Sequence, residues 1–155
     1  MQLTKNFSMK ELTNSSTAVR LGIDNTNPPE HVVTKLFALC ENVLQPARDM
    51  LGRLNINSGY RCLELNRALG SSDTSQHVAG EAVDVEHGVI SNYELACWLR
   101  DNLDYDKIIL EFYTPGVANS GWVHVTYKSG KENRRQTFTA VKENGKTVYK
   151  TGLIE

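Results

Sequence analysis

The chain has no stretch of about 18 consecutive apolar residues, the length a helix needs to cross a bilayer, so no spanning helix is expected in its 155 residues. Its opening, MQLTKNFSMKELTNSS, holds no apolar run of the secretory kind. A product made in the cytoplasm with no membrane partner is the expectation. Charge of one sign is also missing, because 17 Lys and Arg face 18 Asp and Glu. A net charge of −1 makes no broad positive field for a polyanion, which argues against nucleic acid as a partner. Cysteine is scarce: Cys40, Cys62 and Cys97 are widely spaced and odd in number, with no CxxC pair. Neither a disulfide framework nor a thiolate zinc site is expected from them. Cys40 and Cys97 lie in apolar helical runs instead of a turn beside His, so they read as reduced, small apolar residues. There is no internal repeat, low-complexity tract or linker, and one domain over residues 1–155 is the economical reading.

What is present is an ordinary globular balance of 40% hydrophobic and 23% charged residues. In FSMKELT, Ser8 followed three residues later by Glu11 has the capping-box pattern of a helix start. Asp24 to Pro29 interrupts it. From about Glu30 to Leu51, Val33, Leu36, Phe37, Cys40, Val43, Leu44, Ala47 and Leu51 recur at spacings of three and four, which predicts the main core helix. Pro46 falls inside that pattern and predicts a kink or restart near Leu44. Gly52 stops the helix, Leu54–Ser58 reads as a short strand, and Cys62–Leu69 as a short helix with Arg61 at its start. The polar run SSDTSQH reads as a loop. Further strands are expected at Ala82–Glu86, Lys107–Phe112 and Trp122–Tyr127, with an amphipathic helix at about Asn92–Asn102. Asn144-Gly145 is a two-residue turn signal that predicts a C-terminal hairpin over about 135–152. The fold class that follows is α+β, with a mainly antiparallel sheet and helices packed on one face.

Alternate residues of a strand share a face. In AVDVE, KIILEF and WVHVTY, one face is Val83, Val85, Ile108, Leu110, Phe112, Val123, Val125 and Tyr127. The other presents Asp84, Glu111 and His124. A polar floor of this kind is costly unless its groups meet water, each other or a metal. A catalytic zinc typically takes three His, Asp or Glu ligands and leaves one position open. His77, Asp84 and His124 supply that number and type.

The run SQHVAGEAVD, Ser75 to Asp84, matches SxHxxGxAxD. It resembles the zinc signature of the D-alanyl-D-alanine carboxypeptidase family of zinc peptidases and its peptidoglycan-cutting relatives. NSGYR, Asn57 to Arg61, resembles the SGYR element ahead of that signature, and WVHVTY supplies the later-strand His as His124. The resemblance covers about residues 7–127, including ELT, GIDN and LNRALG, and is closest to the branch found in phages and bacteria. It implies one zinc ion on His77, Asp84 and His124. It also implies hydrolysis of peptidoglycan stem peptides or cross-links by a monomer, as a D,D-carboxypeptidase or an endopeptidase of the endolysin type. Arg61 is expected to grip a carboxylate or oxyanion, and Ser75 and Gln76 to bind substrate or orient His77. With no export signal, a phage-encoded enzyme released by another factor, or a virion component, fits best.

One element departs from the family. Its proton-carrying carboxylate commonly lies three residues before the last His, where this chain has Gly121. Glu111, on the neighbouring strand and facing the same side as His124, is the expected general base. Two alternatives follow: a catalytically silent zinc-binding module for cell-wall peptides or the virion, favoured by Gly121, and a dipeptidase acting on free D-Ala-D-Ala. His31 and His87 read as structural or solvated. The basic tail residues Lys131, Arg134 and Arg135 read as a solvated loop.

Overall fold

The computed structural model describes residues 1–155. Helix α1, Met9–Thr13, opens at Ser8, whose Oγ accepts the Glu11 N–H at 3.3 Å. A second short helix, α2, Ser16–Leu21, was not distinguished in the sequence; it has its own cap, the Ser15 Oγ accepting the Ala18 N–H at 3.1 Å. The long apolar pattern becomes α3, Glu30–Leu39, one π-helical turn, Cys40–Leu44, and α4, Gln45–Leu51. Pro46 explains the break. It has no N–H to donate, and the widened turn just before it lets the helix resume without that bond. The stripe survives, with Leu36, Leu39, Cys40, Val43, Leu44 and Ala47 almost wholly buried. Burial pushes the Cys40 thiol up to about 12, which makes it inert near neutral pH. No helix is long and apolar enough to cross a membrane.

The other helices are α5, Leu63–Ala68, and α6, Asn92–Asn102. The strands are β1, Asn55–Ser58; β2, Ala82–Glu86; β3, Lys107–Glu111; β4, Trp122–Thr126; β5, Gln136–Glu143; and β6, Lys146–Thr151. They form one six-stranded sheet in the order β1-β2-β4-β3-β5-β6. The sheet is mixed, because β3 and β5 are parallel while the other neighbours are antiparallel. After β4 the chain crosses back over the start of β3, so β5 begins beside Lys107 and runs with it. Val83, Val85, Ile108, Leu110, Val123 and Val125 lie on one face and join the helices' apolar residues in a single core.

Asp106, just before β3, ties that returning segment down. It is fully buried, and Oδ1 accepts the Arg134 backbone N–H and Nε–H, both at 3.0 Å. Oδ2 accepts Arg134 Nη2–H at 2.7 Å and Gln76 Nε2–H at 3.2 Å. Burial alone would raise this carboxyl, but the Arg134 and Gln76 hydrogen bonds and the Arg134 charge outweigh it and hold it well below the usual carboxylate range. A folded-state value below the unfolded one, about 3.9, gives stability that is complete above the unfolded value and is lost as pH falls through and below it. Asp106→Asn offers one acceptor where the donors need two and turns an NH₂ towards them. It is expected to cost about 3 kcal/mol at pH 7 and to flatten the fall in stability below about pH 4, as read by urea unfolding across that range. Lys131, Arg134 and Arg135 lie on an exposed loop, as the solvated-loop reading has it, but the two arginines are anchored. Arg134 grips Asp106, and Arg135 donates to the Leu103 and Arg100 carbonyls and lies 4.7 Å over the Tyr105 ring.

Candidate metal centre and adjoining groove

The residues of the SGYR element hold the signature loop against β2. Asn25, buried at 2% exposure, donates to the Thr13 and Tyr60 carbonyls and accepts the Cys62 N–H, so it fixes the backbone on both sides of Arg61. Gly59 passes so close to the Leu12 carbonyl that a Cβ there would collide with it. That approach lets the Gly59 carbonyl accept the His77 Nδ1–H at 2.7 Å, while the Arg61 N–H donates to the His77 carbonyl at 3.2 Å. The first contact fixes the tautomer and leaves His77 Nε2 free as a lone-pair donor.

That nitrogen lies 3.4 Å from Asp84 Oδ2, and His124 Nδ1 lies 3.0 Å from Asp84 Oδ1. His124 and Asp84 are directly opposed on β4 and β2. One ligand atom from each of the three residues lies within 4.8 Å of the others, a group that could hold a metal ion. Tetrahedral zinc with bonds near 2.1 Å places its ligands about 3.4 Å apart. The donor chemistry, the spacing and the fixed His77 tautomer therefore fit zinc. Burial would raise the Asp84 carboxyl, but its contacts with His124 and His77 outweigh that and hold it well below its ordinary range, as an anionic donor.

The polar floor is less open than strand alternation suggests. Asp84 is only 7% exposed, because Arg61 and the His77 loop cover it. The Arg61 guanidinium donates to Ser58 Oγ at 3.1 Å, Asn66 Oδ1 at 3.4 Å and Asp84 Oδ2 at 3.5 Å. The Ser75 Oγ accepts the His77 backbone N–H at 3.2 Å, so it shapes the loop, while the Gly59 carbonyl orients the ring. Gln76 Nε2 is engaged by Asp106. His87 lies apart from the cluster: Nε2–H donates to the Leu51 carbonyl at 2.6 Å and Nδ1 faces the Val89 and Ile90 N–H groups. His31 is exposed on α3.

Glu111 ends β3 opposite Trp122, two residue pairs beyond the Ile109–His124 pair. Burial raises its carboxyl; His124 pulls it down, Asp84 pushes it up, and Trp122 and Arg61 pull it down again, leaving it above the usual value. Period two puts it on the same face of the sheet as His124. The Trp122 indole N–H is buried without closing a hydrogen bond, so its hold on Glu111 is a loose one. Gly121 has φ of +63°, and a Cβ there would run into the Glu111 and Phe112 backbone carbonyls. No carboxylate could occupy that position without moving β3, and Phe112 itself has φ of +56° at this crossing. Gly121→Ala is expected to cost about 3 kcal/mol, from αL strain plus displacement of β3. Its melting midpoint should drop by roughly 6–12 °C, with zinc ligands untouched.

On the other side of His124 an open groove of about 470 Å³ runs past Ser75 and Gln76 to Lys107, Lys128, Arg134 and Tyr149. Sequence reasoning missed Gly59, Asn66 and Asp106 as supports, since a carbonyl or a lone Asp carries no motif. Spacing could have suggested Lys107, which alternation puts on the face of Glu111.

Two imidazoles and one carboxylate converging at a groove, backed by an arginine and a half-buried glutamate, are a donor set that suits a single-metal hydrolase. The sequence pattern of the family described as Peptidase M15 matches residues 5–126, and the chain belongs to that family, whose members are zinc-dependent metallopeptidases. No curated protein matches the chain.

Proposed function

We propose that the protein hydrolyses peptide bonds in peptidoglycan stem peptides or cross-links, with zinc on His77, Asp84 and His124. The observation that carries this reading is the fixed His77–Asp84–His124 cluster lying between a half-buried Glu111 and an open groove. The substrate assignment rests on the SxHxxGxAxD and SGYR resemblance. Bound zinc supplies Lewis acidity and lowers the pKa of water towards about 7.

Glu111 takes the proton of the attacking water and passes it to the leaving amine, a role helped by the burial that keeps its carboxyl above the ordinary range. Arg61 has three of the five guanidinium N–H groups engaged and two left for a substrate oxygen, a carboxylate or the developing oxyanion. Its contact with Asp84 also orients that carboxylate towards the histidines. Ser75 lines the groove and offers its hydroxyl to the peptide backbone, whereas Gln76 positions the loop through Asp106.

A silent zinc-binding module is the second reading, and Gly121 favours it. Continuation of the groove beyond His124 supports an extended peptide over a free dipeptide. Digestion of purified murein, followed by mass analysis of what is released, separates the three. Stem-peptide fragments or free D-alanine support the peptidase. Zinc binding with intact murein supports the module, and turnover of D-Ala-D-Ala alone supports the dipeptidase.

A further inference from the structure

The family match ends at Thr126, yet the groove beside His124 is built in part from residues beyond it. Lys128 and Arg134 come from the segment after β4, and Tyr149 from β6. Parallel pairing sets Phe138 beside Ile109, and an apolar shelf of Ile109, Phe138 and Tyr149 adjoins Lys107. The C-terminal segment therefore widens the floor on the side of His124 away from Glu111.

Charge on that side does not balance. Lys107, Lys128 and Arg134 contribute three positive charges, against buried Asp106 and Glu81, which also lines the groove and is paired with Lys35 at 3.9 Å. Asp106 is held by Arg134 at 2.7 Å, with Lys128 3.9 Å away. Lys107 has no carboxylate in ion-pair range and is half-buried; burial and the nearby Arg134 charge push its ammonium down, the more distant Asp106 pulls it up, and Lys128 pushes it down again, with a lowered value as the result. A half-buried ammonium crowded by like charges lacks an anion.

Position gives the register. On β3, Lys107 and Glu111 lie two residues to either side of Ile109, which pairs with His124. Two residues of strand are about 7 Å, roughly the span of two residues of an extended peptide.

We propose that Lys107, Lys128 and Arg134 form a subsite for a carboxylate of the substrate peptide about two residues from the cleaved bond, completed by the segment beyond the family domain. This rests on the peptidase reading. The anion is either an acidic side chain within the peptide or the peptide's own C-terminus, and the two are separable.

The test compares three synthetic stem peptides: one with both carboxylates free, one amidated at the acidic side chain, and one amidated at the C-terminus. Each is followed for cleavage and, by calorimetry, for binding to the zinc-loaded protein. One amidation is expected to lower kcat/KM and affinity about tenfold, the size of one charge-assisted pair, and it identifies which carboxylate is held. Lys107→Gln and Lys128→Gln, each with its melting midpoint checked, should shrink that preference towards unity. Equal cleavage and equal binding of all three peptides would overturn the subsite while leaving the peptidase standing. Absence of cleavage with the tenfold binding preference intact would retain the subsite and remove the peptidase.

Discussion

Glu111→Gln retains zinc and loses turnover by about 10²–10⁴-fold, the usual contribution of a general base. Gln has the same shape but no carboxylate to accept the water's proton. Glu111 is not a member of the His77–Asp84–His124 cluster, so its exchange leaves every metal donor in place. The group is also half-buried and raised by that burial, so the neutral amide relieves a cost instead of adding one. The variant is expected to be at least as stable as the wild type at pH 7. Metal analysis, a melting curve and murein release on the same preparation check all three points. Unchanged turnover would remove Glu111 as the base.

Asp84→Ala has an effect of a different kind. The carboxylate meets His77 on one oxygen and His124 on the other, with Arg61 behind it. Its removal takes away one donor and the group that holds both imidazoles in place. Losing only an orienting partner typically costs 10–100-fold in metal affinity, so loss of this donor should exceed about 100-fold, and hydrolysis should vanish with the metal. The largely buried Arg61 is also left without its anion, a break expected to cost about 3–5 kcal/mol. Competition with a zinc chelator measures the affinity, and urea unfolding measures the stability. Full zinc affinity in this variant would contradict the assignment of Asp84.

Much of this site was legible in the sequence because strand alternation is a rigid rule. Asp84 and His124 face one another across β2 and β4, and Glu111 falls on the same face, as period two requires. The π-helical turn at Cys40–Leu44 was foreshadowed by Pro46, since a missing N–H leaves few ways to continue a helix. What stayed hidden depends on contacts distant along the chain. The parallel β3–β5 pairing follows from where the segment after Tyr127 lands, and Asp106, which anchors it, is one acidic residue among several in DNLDYDK. The Gly59 carbonyl that orients His77 has no side chain to betray it. Gly121 was legible only as a missing carboxylate, whereas in the fold it makes a packing contact that leaves room for nothing larger.

Mass analysis of material released from purified murein by the zinc-loaded protein, beside the Glu111→Gln variant, bears most directly on whether this fold is a working peptidase. The expected result is stem-peptide fragments or D-alanine with intact sugar chains from the wild type, and almost none from the variant. Murein left uncleaved by a wild-type protein that holds its zinc would contradict it.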